Sequence, residues 1–227
     1  MRLETLFLDA GGVLVIPNWE RVAAALGRRG VPVSADVLAA AEPHAKRELD
    51  TPARVQTSSD DARGWQYFDL VLAHAGVAPS EATTAALAEL RQYHEDQNLW
   101  ESIPDDVGES LPRFRALGLR LVVVSNANGT VRAKLERLGL AHHFDLIVDS
   151  QEEGVEKPDR RLFDIALARA GARADTTLHA GDLYEVDVVG ARAAGIEAVL
   201  VDRGWLYDGV DSPRVRTLRE LADRLER

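Results

Sequence analysis

The sequence predicts an α/β protein, a doubly wound parallel sheet interrupted near its start by a small all-helical insert. Three observations carry that expectation. Short apolar runs, each long enough for one buried strand, recur at residues 6–8, 119–124, 146–148, 176–179 and 198–201. Helical stretches separate the last four, and strands alternating with helices argue for parallel pairing with both sheet faces covered. Between residues 18 and 93 the text is helical throughout, with no strand signal of comparable strength.

Taken in order, the first strand runs into Gly11-Gly12, a tight loop, and a second apolar run follows at 14–16. Apolar residues at helical spacing predict four helices, at 19–26, 35–49, 60–75 and 79–93, punctuated by Gly30, Thr51-Pro52 and Gly76. After Pro104 a helix at 105–117 leads through Gly118 to the second strand, whose residues 121–124 are unbroken apolar text. Helices at 130–138, 160–170 and 185–194 fall between the remaining strands, 206–215 reads as loop, and 218–225 as a closing helix. The expected domains are therefore 1–16 with 101–227 as the catalytic core, and 17–100 as a helical cap. Ligands of open α/β sheets bind outside the carboxyl ends of the strands, and an insert leaving from the end of strand one is well placed to be a lid.

Composition narrows the classes of function. The chain has 227 residues, enough for a core domain with a smaller insert. It has no cysteine, which excludes disulfides, thiolate nucleophiles and cysteine-ligated zinc. A formal charge of −10 disfavours nucleic acid as a partner. No apolar run approaches the ~20 residues of a membrane span, and the N-terminus lacks the pattern of a signal peptide, so a cytoplasmic protein without a membrane partner is expected.

Four polar clusters sit at the carboxyl ends of the predicted strands: Asp9 with Gly11-Gly12, Ser125-Asn126, Lys157-Pro158-Asp159, and Gly181-Asp182 with Asp187 beyond. Each alone is explained by turn or helix-cap chemistry. Together they place acid, hydroxyl, lysine and acid in order, one strand apart, so a single fold brings them to one rim. A carboxylate can attack phosphorus to form an aspartyl-phosphate. Paired carboxylates repel an anionic phosphoryl group unless Mg²⁺, held by oxygen ligands, offsets the charge. A lysine and a hydroxyl then hold the phosphoryl oxygens as charge develops. On this reading Asp9 is the nucleophile, Asp182 a metal carboxylate, Ser125 and Lys157 the anion clamp, and Asp187 a support for the metal ligands.

The set resembles the haloacid dehalogenase-like hydrolase superfamily, in the branch with a helical cap inserted after motif one. The resemblance covers nearly the whole chain: residues 9–14 as motif one, Ser125-Asn126 as motif two, Lys157-Pro158-Asp159 as motif three, and Gly181-Asp182 through Asp187 as motif four. The stretch SQEEGVEKPDRRLF at 150–163 is especially similar. The resemblance implies a Rossmann-like core, a closing cap and Mg²⁺-dependent phosphoryl transfer from a small phosphorylated metabolite. It also implies that the Gly11 carbonyl joins Asp9 and Asp182 around the metal, and that Ser125, Asn126 and Lys157 contact substrate.

One departure matters. The superfamily's phosphatases usually carry a second Asp, as acid and base, where this chain has Gly11. Positioned acid–base groups are worth ~10²- to 10⁴-fold. Two other hydrolytic readings accommodate a glycine there: 2-haloacid dehalogenation, which needs no proton, and phosphonoacetaldehyde-type cleavage with Lys46 as Schiff base. The Ala180-Gly181-Asp182 motif favours a metal, and thus phosphate, while Lys46 reads as part of a solvated helix face. A non-catalytic binding protein on the same fold would be supported by Gly11 alone. Trp19, His44, Trp65 and Tyr67 are candidates for a substrate pocket in the cap or for its core. His142-His143 reads as cation near a helix end, and Tyr184 as facing the site or packing on the first turn.

Overall fold

The structure is a computed structural model that describes residues 2–227. In chain order its elements are β1 (Thr5–Leu8), β2 (Ile16–Pro17), α1 (Trp19–Gly27), α2 (Ala35–Leu49), α3 (Pro52–Thr57), α4 (Asp60–His74), α5 (Glu81–Gln97), β3 (Trp100–Ser102), α6 (Val107–Ala116), β4 (Arg120–Ser125), α7 (Val131–Arg137), β5 (Leu146–Asp149), α8 (Ser150–Glu153), α9 (Arg160–Ala170), β6 (Thr177–Gly181), α10 (Val189–Ala193), β7 (Glu197–Val201), β8 (Arg214–Val215) and α11 (Leu218–Leu225). They fall into two compact units, the stretch up to Ile16 with Ile103–Arg227, and Pro17–Ser102. β2 and β3 pair where the chain passes from the first unit to the second and back.

The first unit is built on a six-stranded sheet in the order β5-β4-β1-β6-β7-β8, parallel at every pairing. β1 is central, with Leu8 opposite Val123 on one side and Ala180 on the other. The chain goes from β1 to β4 and β5 on one side, then returns to β6, β7 and β8 on the other. That reversal is where doubly wound sheets leave a crevice at the strands' carboxyl ends. All four side chains of β1 are buried, and so are residues 121–125 of β4, as a sheet covered on both faces requires. Phe7, Val122, Val124, Val148, Phe163 and Leu200 pack in one apolar cluster beneath those ends.

The second unit packs Trp19, Leu26, Leu38, Phe68, Val71 and Leu90 into its own core. Its helices begin at side-chain caps: Asn18, Ser34, Thr51, Ser59 and Ser80 each accept from a backbone N–H of the first turn. Glu101 ties the two ends of this unit together, accepting from Asn18 Nδ2 at 2.9 Å, Arg21 Nε at 2.9 Å and Tyr93 Oη at 2.8 Å. The expectation of four helices is corrected to five. Thr51-Pro52 is a helix start rather than a break, because Thr51 accepts from Arg54 N and proline suits the first helical position.

Three further differences are local. β8 lies inside the segment expected to be loop, and α8 forms because Asp149 accepts from Gln151 N at 3.0 Å. The helix expected at 185–194 begins instead as a π-helical turn, Tyr184–Val188, and only then becomes α10. No described helix is long and apolar enough to cross a membrane.

Candidate active site

Asp9 stands one residue past β1, in a loop that folds back on itself. Leu14 N and Val15 N both donate to Ala10 O at 2.9 Å, and Gly12 N donates to Val15 O at 2.7 Å. Gly12 takes the left-handed backbone this needs, with φ 74°. Arg203, just past β7, braces the loop from outside: Nε donates to Gly12 O at 3.3 Å, Nη2 to Val13 O at 3.1 Å, and Nη1 pairs with Asp106 at 2.9 Å. Asp9 is buried, and its Oδ1 accepts from Ala10 N at 2.7 Å.

Lys157 lies opposite, with none of its surface exposed. Its Nζ donates to Asp187 Oδ1 at 2.6 Å and sits 3.1 Å from Asp9 Oδ1. Its main chain is held by Asn126, whose Oδ1 accepts from Lys157 N at 2.7 Å and whose Nδ2 donates to Lys157 O at 3.0 Å. Asn126 therefore braces the lysine loop against the end of β4. Ser125, 3% exposed, is close enough to Asp9 to help hold its carboxylate ionised. The Lys157–Pro158 bond is cis.

Asp187 holds the rest together. Oδ1 accepts from Lys157 Nζ and from His179 Nε2 at 3.0 Å, while Oδ2 accepts from Asp182 N at 3.1 Å and Leu183 N at 3.0 Å. The π-helical turn is what aims it back at the end of β6. Gly181 is glycine for the same reason: a Cβ there would lie 2.1 Å from Asp187 Cγ.

The charges settle accordingly. Burial pushes the Asp9 carboxyl up to about 6; Lys157 pulls it down, Asp187 pushes it further up, and Ser125 opposes. Burial would also raise Asp187, but Lys157 and His179 outweigh it and hold the carboxyl well below the carboxylate range. Burial disfavours the Lys157 ammonium, yet Asp187 and Asp9 hold it above the ordinary lysine value. His179 is lowered by burial against the pull of Asp187. It is neutral near pH 7, so Nε2–H is the donor.

Carboxylate oxygens of Asp9, Asp182 and Asp187 lie within 4.8 Å of one another. An all-oxygen set of this kind suits a hard divalent cation. Asp187's oxygens already take four hydrogen bonds from the protein, and Asp9 and Asp182 carry the other two carboxylates of the cluster. The Asp9 carboxylate, two further carboxylates within 4.8 Å of it and a buried ammonium thus share one rim.

The remaining candidates lie elsewhere. Trp19 and Tyr67 are buried in the aromatic core of the second unit, where Trp19 meets Phe68 at 6.1 Å and Tyr67 stacks on Trp100 at 6.1 Å. Trp65 packs against that core, and His44 is exposed beside His74. Lys46 is not on a solvated face: it is mostly buried and pairs with Glu42 at 2.8 Å. His142 and His143 lie in a 3₁₀ turn, and Tyr184 opens the π-helical turn. Three residues went unread in the sequence: His179, a polar position inside an apolar strand; Arg203, for which no local signal exists; and Lys134, on the buried stripe of α7 with Val131 and Leu135.

A family model described as haloacid dehalogenase-like hydrolase matches residues 3–195. The chain is 36% identical over 135 residues to ribulose-1,5-bisphosphate 5-phosphatase of Halopiger xanaduensis, covering 59% of this chain and 55% of that protein. It is 39% identical over 158 residues to phosphoserine phosphatase of Thermus thermophilus, covering 68% and 61%. The human haloacid dehalogenase-like hydrolase domain-containing protein 3 is 34% identical over 170 residues, covering 72% of this chain and 67% of that one. The first two matches span less than two thirds of those relatives' lengths. Among solved structures, the magnesium-bound HAD-hydrolase YfnB from Bacillus subtilis superposes with a TM-score of 0.72 at 20% identity, over 100% of both chains. The chain belongs to the haloacid dehalogenase-like hydrolase family.

Proposed function

We propose that this hydrolase is a phosphatase of small phosphorylated metabolites, dependent on Mg²⁺ and working through an aspartyl-phosphate on Asp9. One observation carries the reading: Asp9 is a buried carboxylate held by Lys157 at 3.1 Å, with the Asp182 carboxylate within reach of the same ion. The phosphatase names of the relatives above support it. A Mg²⁺ ion held by Asp9, Asp182 and the Gly11 carbonyl would offset the charge of the phosphoryl oxygens next to the attacking carboxylate.

The chain's own residues do the rest. Asp9 is ionised above about pH 6, and its free oxygen attacks phosphorus as the alkoxide leaves. Ser125 and Lys157 hold the equatorial oxygens, Lys157 being kept in place by Asp187 below and Asn126 behind. Water then attacks phosphorus, releasing phosphate and restoring Asp9. An Asp182 carboxylate beside the nucleophile favours this over dehalogenation, which needs no metal. The second unit, Pro17–Ser102, is the proposed cap that selects substrate.

Asp9→Asn tests the reading, since the side chains are isosteric. The variant should melt as the wild type does and lose Mg²⁺-dependent hydrolysis of an aryl phosphate. A folded variant with near wild-type turnover would remove the mechanism.

A further inference from the structure

His179 has no part in the chemistry proposed so far. It lies in the middle of β6 with none of its surface exposed. Its cross-strand neighbours are Phe7 on β1 and Ala198 on β7, both buried, and the ring of Phe163 meets it edge-on at 5.0 Å. An apolar side chain would suit that setting better than an imidazole, because a buried polar ring is costly unless its nitrogens are satisfied. Only one of them is. Nδ1 is buried with no hydrogen-bond partner among the described residues, while Nε2 lies 3.0 Å from Asp187 Oδ1. The bond to Asp187 is therefore what an imidazole supplies here that an apolar residue could not.

An ionised carboxylate only accepts, so Nε2 carries the proton and donates it. The oxygen it reaches is the one that takes the Lys157 ammonium at 2.6 Å. The other oxygen, Oδ2, is committed to Asp182 N and Leu183 N. With two donors on each oxygen, the carboxylate cannot swing about its Cβ–Cγ bond without losing bonds. The second donor on Oδ1 also draws on charge that Lys157 would otherwise have to itself, and bonds between charged groups are the strong ones. Lys157 is accordingly not drawn wholly onto Asp187: its Nζ still lies 3.1 Å from Asp9 Oδ1. An ammonium has three protons to give. Asp187 and Asp9 take one each, which leaves the third for a phosphoryl oxygen.

We infer that His179 is a positioning residue: by holding Asp187 Oδ1 it keeps Lys157 shared between Asp187 and Asp9, in place to take a phosphoryl oxygen. This rests on the phosphatase reading. Three variants separate the bond from the volume of the ring. His179→Leu removes the donor and leaves an apolar side chain among apolar neighbours. His179→Gln places an amide N–H where Nε2 is now, while His179→Asn reaches only as far as Nδ1. Each is melted, assayed for Mg²⁺-dependent hydrolysis of an aryl phosphate, and crystallised.

His179→Leu and His179→Asn should lose roughly tenfold or more in kcat/KM, the usual worth of a hydrogen bond to a charged group, and His179→Gln should stay within about threefold of wild type. His179→Leu should nevertheless melt no lower than His179→Gln, since it buries no unsatisfied amide oxygen, so stability and activity move in opposite directions. In the His179→Leu crystal structure Lys157 Nζ should have moved toward Asp187 and lie beyond about 3.5 Å from Asp9. Wild-type kcat/KM in a folded His179→Leu overturns the inference, and so does a loss of activity that follows the melting points across the three variants. The Lys157 position is read without turnover, which keeps two failures apart. If the wild type cleaves no phosphate ester, the phosphatase reading has failed, and His179 is still judged by the His179→Leu structure, as it is where another variant does not fold. A Lys157 that has left Asp9 there upholds the inference, and one that remains beside Asp9 overturns it.

Discussion

Asp187→Asn is the substitution whose cost can be worked out most fully. Asp187 is wholly buried and accepts four hydrogen bonds, two on each oxygen, from Lys157, His179, Asp182 N and Leu183 N, and Lys157 also has Asp9 at 3.1 Å. Asparagine keeps one acceptor oxygen and turns an NH₂ toward whichever pair loses. If it faces Lys157 and His179, an ammonium is left buried with Asp9 alone; if it faces Asp182 N and Leu183 N, donor meets donor. Breaking a buried pair from one side typically costs 3–5 kcal/mol. At about 2–4 °C per kcal/mol for a chain of this size, the melting point should fall by roughly 6–20 °C. Urea unfolding followed by circular dichroism checks the free energy, and thermal melting the midpoint. Gly181→Ala should do similar damage by another route, since its Cβ would occupy the place of Asp187 Cγ. A loss below about 1 kcal/mol in Asp187→Asn would refute the claim that this carboxylate organises the rim.

Two further outcomes follow from the same geometry. Asp9, raised to about 6, binds a proton in the metal-free protein below that pH and must release it to hold a cation. Mg²⁺ affinity by calorimetry should therefore be level above pH 7 and weaken about tenfold per pH unit below 6, whereas affinity independent of pH from 5 to 8 would mean that Asp9 is no ligand. Gly11 offers no proton to the leaving group, so aryl and alkyl phosphates should differ in rate steeply with leaving-group pKa. Gly11→Asp should flatten that slope, helped by the left-handed backbone falling at Gly12, and a shallow slope in the wild type would place a proton donor elsewhere.

Much of this architecture was legible because strand order follows from hydrophobic runs. Residues 121–124 and 198–201 could hardly be anything but buried strands, and the polar residues that end those runs had to meet at one edge. Asp9, Lys157, Asp182 and Asp187 do meet there. What stayed hidden depends on tertiary contact. Pro52 looked like a break because its cap is only visible as a hydrogen bond to Thr51. The π-helical turn has no periodicity of its own; it exists to carry the Asp187 carboxylate back to Lys157. Asn126 was read as a substrate contact, yet both ends of its amide serve the Lys157 main chain, a pairing between loops 31 residues apart. Arg203 reaches Gly12 across 191 residues, a separation no local pattern encodes.

The central claim is that phosphate passes through Asp9. The direct measurement is rapid acid quenching of the wild type during turnover of an aryl phosphate with Mg²⁺, followed by mass analysis of the peptide that contains Asp9. A phosphoryl group should appear on Asp9 within the first turnover and accumulate, because Gly11 provides no base to speed its hydrolysis. Release of phosphate with no phosphorylated Asp9 at any quench time, or with the phosphoryl group on another residue, would contradict it.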